Sequence, residues 1–165
     1  MLEKLLSKQD CAECQICCTF ESYDLWETPV ISDELRKTIA DDFPDQEFIR
    51  KGNSWLMRME QDDDGLYYCP MLDTKTGCML DEKKPFDCRI WPYRVMDFNG
   101  ARVISIASIC PVMFKKPLNE LVEALTKGGL AKIIFDEADK NPDIVKQYQD
   151  GYPILVCENY MDLNV

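Results

Sequence analysis

With 165 residues, 19 Lys and Arg against 30 Asp and Glu, the chain carries a formal charge of −11, and 46 % of its residues are hydrophobic. That length and apolar content suit one packed domain, while the acidity argues against nucleic acid, which needs a clustered cationic face, and against an anionic membrane surface. The lack of any histidine removes the usual general base, the Ser-His-Asp triad and every histidine-ligated zinc or haem site.

In chain order, Leu2, Leu5 and Leu6 predict a short amphipathic helix running into a cysteine cluster. The opening residues have no long apolar core and contain Glu3, so no secretory leader is expected. No stretch approaches the ~18 apolar residues of a membrane span, and the expected location is cytoplasmic. Ser32 is the predicted N-cap of a helix over 33–39, with acids in its first turn and an end before Pro44. Segments 54–59 and 66–69 read as strands joined by the turn Asp62-Asp63-Asp64-Gly65. Three aspartates in a row lack the alternating ligand spacing of a calcium loop and read as a solvated turn. A second turn at 73–77 leads into Cys78. Strands over 93–98 and 101–106 flank Asn99-Gly100, a strong hairpin signal. Helices are predicted over 118–127 and 130–140 with a break at Gly128-Gly129. A short helix over 142–149 follows, capped by Asn141, and then a last strand over 154–157. The expected fold is α+β: a single small domain over 1–165 with β-hairpins around a cysteine-rich metal site and helices at both ends. Its cysteine-bearing core runs over about 11–111 and a helical C-terminal segment over about 117–150.

The nine cysteines lie at 11, 14, 17, 18, 69, 78, 88, 110 and 157. In a reducing compartment such clustering means metal more often than disulfide, and an odd count leaves one thiol over in any disulfide scheme. Four of them form Cys11-Ala-Glu-Cys14-Gln-Ile-Cys17-Cys18. Two intervening residues let neighbouring thiolates turn onto one centre, with each sulfur about 2.3 Å from a metal such as zinc. Adjacent Cys17 and Cys18 are expected to point apart, serving different metals or leaving one to pack. The later cysteines each sit beside a turn-maker: Cys69-Pro70, Gly77-Cys78, Cys88 between Pro85 and Pro92, and Cys110-Pro111. Proline fixes φ and removes a competing donor, and amides in tight turns can hydrogen-bond sulfur. Crowded thiolates repel one another unless a cation supplies positive charge. Lys83, Lys84, Arg89 and Arg94 form a basic concentration near the cysteines and read equally as counter-charges to what charge remains or as solvated surface charges.

Other candidates have plainer readings. Glu120, Glu123, Asp136 and Glu137 look like a solvated helix face, and Cys157 like a small buried hydrophobe. Trp26, Trp55 and Trp91 suit the core or the shielding of a cluster, and Tyr67, Tyr68 and Tyr93 suit hairpin packing. Gly128-Gly129 lacks the partners of a phosphate loop or a dinucleotide fingerprint.

The C-x2-C-x2-C-C opening, Cys69-Pro70-Met71-Leu72, the glycine turn before Cys78 and Lys84-Pro85-Phe86-Asp87-Cys88-Arg89-Ile90-Trp91-Pro92 resemble the YkgJ-like cysteine-cluster family. Proteins of that family are described as zinc- or iron-chelating and are often labelled iron–sulfur oxidoreductases. The resemblance spans about residues 11–111. It implies eight metal ligands: Cys11, Cys14, Cys17, Cys18, Cys69, Cys78, Cys88 and Cys110. Cys157 falls outside the pattern. Asp81 stands where an aromatic is usual and Lys84 where arginine is usual, and neither departure removes a ligand. A related cysteine pattern occurs in flagellin lysine methylases, where an iron–sulfur cluster is implied.

All-sulfur ligation fits zinc or an iron–sulfur cluster and disfavours calcium and magnesium. C-x2-C-x2-C is similar to four-iron ligation, although here the fourth cysteine is adjacent, and the later cysteines lack the second C-x2-C of paired zinc knuckles. The expected cofactor is therefore an iron–sulfur cluster, four-iron in type, with zinc as the alternative and one centre or two left open. Three function classes follow. The first is an electron-transfer or redox protein. The second is a zinc-pinned structural or interaction module without catalysis. The third is a cluster-dependent enzyme modifying a peptide or protein, whose partner, given the acidity, would be basic.

Overall fold

The computed structural model describes Leu2 and residues 5–160. Its architecture is mixed α+β, and its contacts gather into two compact units, residues 2–89 and the part from Ile90 onward.

In the first unit the helix expected around Leu2, Leu5 and Leu6 is a single turn, in which the amides of Leu5 and Leu6 both donate to the Leu2 carbonyl at 2.8 Å. The first helix, α1 (Lys8–Cys14), starts later because Ser7 and Asp10 form a reciprocal capping box. It ends at Gln15, whose left-handed backbone (φ 56°) turns the chain into a 3-10 turn, Ile16–Cys18. Next come β1 (Thr19–Phe20) and α2 (Asp33–Asp42). Ser32 caps α2 as expected, its hydroxyl accepting from the Leu35 amide at 3.2 Å.

Strand pairing differs from the expected hairpin across the aspartate turn. Strand β3 (Ser54–Met57) pairs antiparallel with β2 (Phe48–Lys51), with Lys51 opposite Ser54 across the two-residue turn Gly52-Asn53. Strand β4 (Tyr67–Tyr68) pairs instead with β1, Thr19 opposite Tyr68. Asp62 does cap its own turn, accepting from the amides of Asp64 and Leu66 at 3.0 and 2.8 Å. Gly52-Asn53 made the tighter closure, so β3 was already paired with the strand before it. Strands β5 (Leu72–Asp73) and β6 (Gly77–Cys78) close the second expected turn, where Asp73 accepts from the Lys75 and Thr76 amides. A further 3-10 turn (Asp81–Lys83) leads to α3 (Phe86–Ile90), which carries Cys88. The core of this unit is Ile31, Ile39, Met57, Met71 and Leu80, with Trp55, Cys69 and Cys78 packed at its edge.

The second unit is a four-stranded sheet with helices. Strands β7 (Tyr93–Phe98) and β8 (Ala101–Ile106) form the expected hairpin in full register, with Asn99 and Gly100 at φ 55° and 85°. The break at Gly128-Gly129 separates α4 (Leu118–Thr126) from α5 (Leu130–Lys140) as expected. Their apolar faces bury Leu121, Leu125, Ile134 and Phe135, each such burial contributing about 1.5–3 kcal/mol. Their acids form ion pairs along their own helices: Lys116 with Glu120, Lys127 with Glu123, Lys132 with Asp136 and Lys140 with Glu137. That is the solvated face the sequence suggested. The helix expected over 142–149 is only a 3-10 turn (Pro142–Ile144), after which β9 (Lys146–Gln147) pairs parallel with β7. An open sheet edge outcompeted a marginal helix: the Tyr148 amide donates to the Asp97 carbonyl at 3.0 Å. The last strand, β10 (Ile154–Cys157), pairs with β8 and completes the order β10-β8-β7-β9. Among the described residues, no helix is long and apolar enough to cross a membrane.

Candidate metal centre

No disulfide joins the nine cysteines. Seven of them lie in the first unit, where short backbone ladders draw together segments that are far apart in sequence. The Cys69 amide donates to the Cys18 carbonyl at 2.8 Å, and the β1–β4 ladder continues that pairing. Gln15 extends its side chain to the Thr74 carbonyl at 3.0 Å, bridging the cysteine run to the β5–β6 turn. Helix α1 rests on β6 so closely that a Cβ added to Gly77 would lie 3.1 Å from the Ala12 Cβ. The Asp87 carboxylate accepts from the Val30 amide at 3.1 Å and anchors α3, with Cys88 next along the chain.

The result is a set of mutually interacting thiols. The Cys17 and Cys18 side chains are hydrogen-bonded to each other, so the expectation that adjacent cysteines point apart is corrected. The 3-10 turn Ile16–Cys18, unlike a strand, does not throw successive side chains to opposite faces. That hydrogen bond, then burial, raises the Cys17 thiol far above its ordinary value, while the ammonium of Lys84 pulls the other way. Cys69 is pushed up to about 11, first by burial and then by the proximity of Cys78 and Cys17, while the Met71 amide donates to its sulfur and opposes the rise. Cys88 is raised well above its usual range by burial and by Cys69, Cys17, Asp87 and Cys78. Cys17, Cys69, Cys78 and Cys88 thus form one electrostatically coupled group, with Cys18 attached through Cys17.

The remaining candidates are placed elsewhere. Cys11 and Cys14 stand on α1. Cys110 is buried in the second unit, after β8, and Cys157 is half-buried on β10 opposite Val103. Of the four basic candidates, Lys84 acts on a cluster thiol, whereas Lys83 is ion-paired with Asp42 and Arg94 lies over the Trp91 ring. The sequence reading did not single out the Met71 amide or the capping side chain of Gln15; the Cys-Pro turn before Met71 was the available signal for the first.

Among the described residues, no three Cys, Asp or Glu side chains converge tightly enough to hold a single metal ion. A tetrathiolate zinc sets its sulfurs about 3.8 Å apart, from Zn–S bonds of about 2.3 Å. An iron–sulfur cluster interposes iron and sulfide between its thiolates and takes wider-set ligands. The thiols of Cys17, Cys69, Cys78 and Cys88 are free and partly buried, with an amide donating to the Cys69 sulfur and an ammonium near Cys17. In any thiolate metal site the cation offsets the repulsion between its ligands.

Compared with known proteins, the chain matches no family model, no curated protein and no solved structure.

Proposed function

We propose that this protein binds an iron–sulfur cluster through its clustered cysteine thiolates and serves in electron transfer or a related redox role in the cytoplasm. The observation that supports this reading is that the partly buried thiols Cys17, Cys69 and Cys88, with Cys78 beside them, lie near enough to act on one another although they come from separate stretches of sequence. Buried thiols that raise one another's pKa remain protonated when alone and become stable thiolates only when a cation joins them. These four residues would hold the group. The resemblance to the YkgJ-like family adds Cys11 and Cys14 of the same unit as candidates for further ligation. When bound, an iron–sulfur cluster supplies one-electron storage at a potential set by hydrogen bonds to sulfur and by exposure. The protein's own contribution lies in the Met71 amide donating to Cys69 sulfur and in the Lys84 charge beside Cys17.

Anaerobic purification followed by metal and acid-labile sulfide analysis tests the reading. Iron and sulfide in near-equal amounts, with broad visible absorption that dithionite bleaches reversibly, are the expected result. A colourless protein with stoichiometric zinc would move the assignment to a structural zinc module, and a protein that holds neither metal would overturn it.

A further inference from the structure

In the first unit two guanidiniums converge on one indole. Trp55 is held through its backbone on both sides: its amide and carbonyl exchange hydrogen bonds with Ile31 at 2.9 and 2.8 Å, and it stands opposite Arg50 in the β2–β3 register. Residues opposite each other on an antiparallel pair share a face, and the Arg50 guanidinium carbon lies 5.2 Å from the indole centroid. From α2, the Arg36 guanidinium carbon lies 4.8 Å from a centroid of the same side chain. Asp33, one turn before Arg36 on that helix, accepts from the indole Nε1 at 2.6 Å. Neither guanidinium is well paired. Arg36 Nε is sealed from solvent and has no hydrogen-bond partner among the described residues, an arrangement that folded proteins rarely leave unexplained. Arg50 reaches the Gly52 carbonyl at 3.4 Å and Asp33 Oδ1 at 3.5 Å, both beyond the ordinary range of about 2.7–3.2 Å.

We propose that Arg36 and Arg50, gathered on Trp55, bind a single phosphate group, either the free ion or the monoester of a small molecule. A guanidinium lying over an aromatic ring keeps its planar fork of N–H donors for a ligand. One fork satisfies a carboxylate, whereas the three terminal oxygens of a phosphate accept from two forks, and its charge of about −2 matches two guanidiniums. The shared ring keeps both forks near one anion, and Arg50, being exposed, is free to adjust to it. Asp33 orients the indole, and with Glu34 beside it in a chain of net charge −11 it opposes a longer polyanion. Lys37 and Lys51, each next to one of the arginines in sequence, add positive charge locally. No cysteine takes part, so this site stands or falls separately from the metal reading.

The test follows the indole N–H of Trp55 by heteronuclear NMR on the full chain, its peak told apart from those of Trp26 and Trp91 by Trp55→Phe. Inorganic phosphate and phenyl phosphate are titrated at constant ionic strength, with acetate as the carboxylate comparison. A saturating shift of the Trp55 peak with either phosphate, and none with acetate, is expected; whichever binds more tightly tells the free ion from an ester. Arg36→Lys and Arg50→Lys keep the charge and lose the fork, and each should weaken phosphate about 10–100-fold, the worth of hydrogen bonds to a charged group. Arg50 is exposed, so Arg50→Lys decides the matter should Arg36→Lys not fold. The absence of a saturating shift overturns the proposal. So does a shift that acetate reproduces, or folded lysine variants that bind phosphate as wild type does.

Discussion

Tyr93 is wholly buried at the start of β7, and its hydroxyl donates to the Leu121 carbonyl of α4 at 3.0 Å. Burial first, with the nearby Glu120 carboxylate second, pushes its pKa up to about 12 from an ordinary value of 10.0. Because the folded value lies above the unfolded one, this contribution is fully present below about pH 10 and is lost as pH rises through about 12. Tyr93→Phe should cost about 1 kcal/mol near neutral pH, the net worth of one hydrogen bond. It should also flatten the alkaline decline, so that urea midpoints of wild type and variant converge as pH climbs; parallel curves would contradict this. At this scale the cysteines were legible because spacing and neighbouring prolines are local properties. Which thiols act on one another was not, because Cys17, Cys69 and Cys88 are drawn near by pairings such as Cys69 to Cys18 that no local pattern records.

Turns show the same division one level up. Asn99-Gly100 has both central residues at positive φ, so the β7–β8 hairpin could be read from two letters. The β1–β4 pairing joins residues 19 and 68 through strands of two residues each, too short to carry a periodic signal. Gly77 and Gly100 both sit at φ 85°, yet they differ in surroundings: an added Cβ meets Ala12 at 3.1 Å in the first and nothing within 4 Å in the second. Each Gly→Ala change should therefore cost about 1–2 kcal/mol for the left-handed backbone. Gly77→Ala should cost more, because α1 must move off β6, and it should speed metal loss while Gly100→Ala leaves metal retention alone. Paired thermal melts and EDTA release curves check this. Equal stability losses in the two variants would mean that α1 does not depend on its close approach to β6.

For the whole chain, the two units differ in what holds them. The second has six-residue strands, two amphipathic helices and a continuous set of buried aliphatic side chains, the ordinary means of stability. The first is built from three separate two-stranded sheets of two to four residues, and isolated pairs of that length are marginal in water. Its hydrophobic core is small and has Cys69 and Cys78 at its edge, so loosening the thiol cluster opens the core directly. A metal bound only by the folded state contributes RT ln(1 + [L]/Kd), about 4 kcal/mol at a thousandfold excess over Kd. That is a large share of the stability of a unit this size and would fall almost entirely on residues 2–89. Removing metal with a chelator under reducing conditions should therefore strip hydrogen-exchange protection from the amides of Cys69, Leu72 and Met79, which close the cluster's ladders. Protection along β7 and β8 should persist, since six paired residues and the helices behind them are independent of the thiols. Uniform loss along the chain would show that the two units unfold together, and no loss in the first unit would show that its short ladders stand without help from the cysteines.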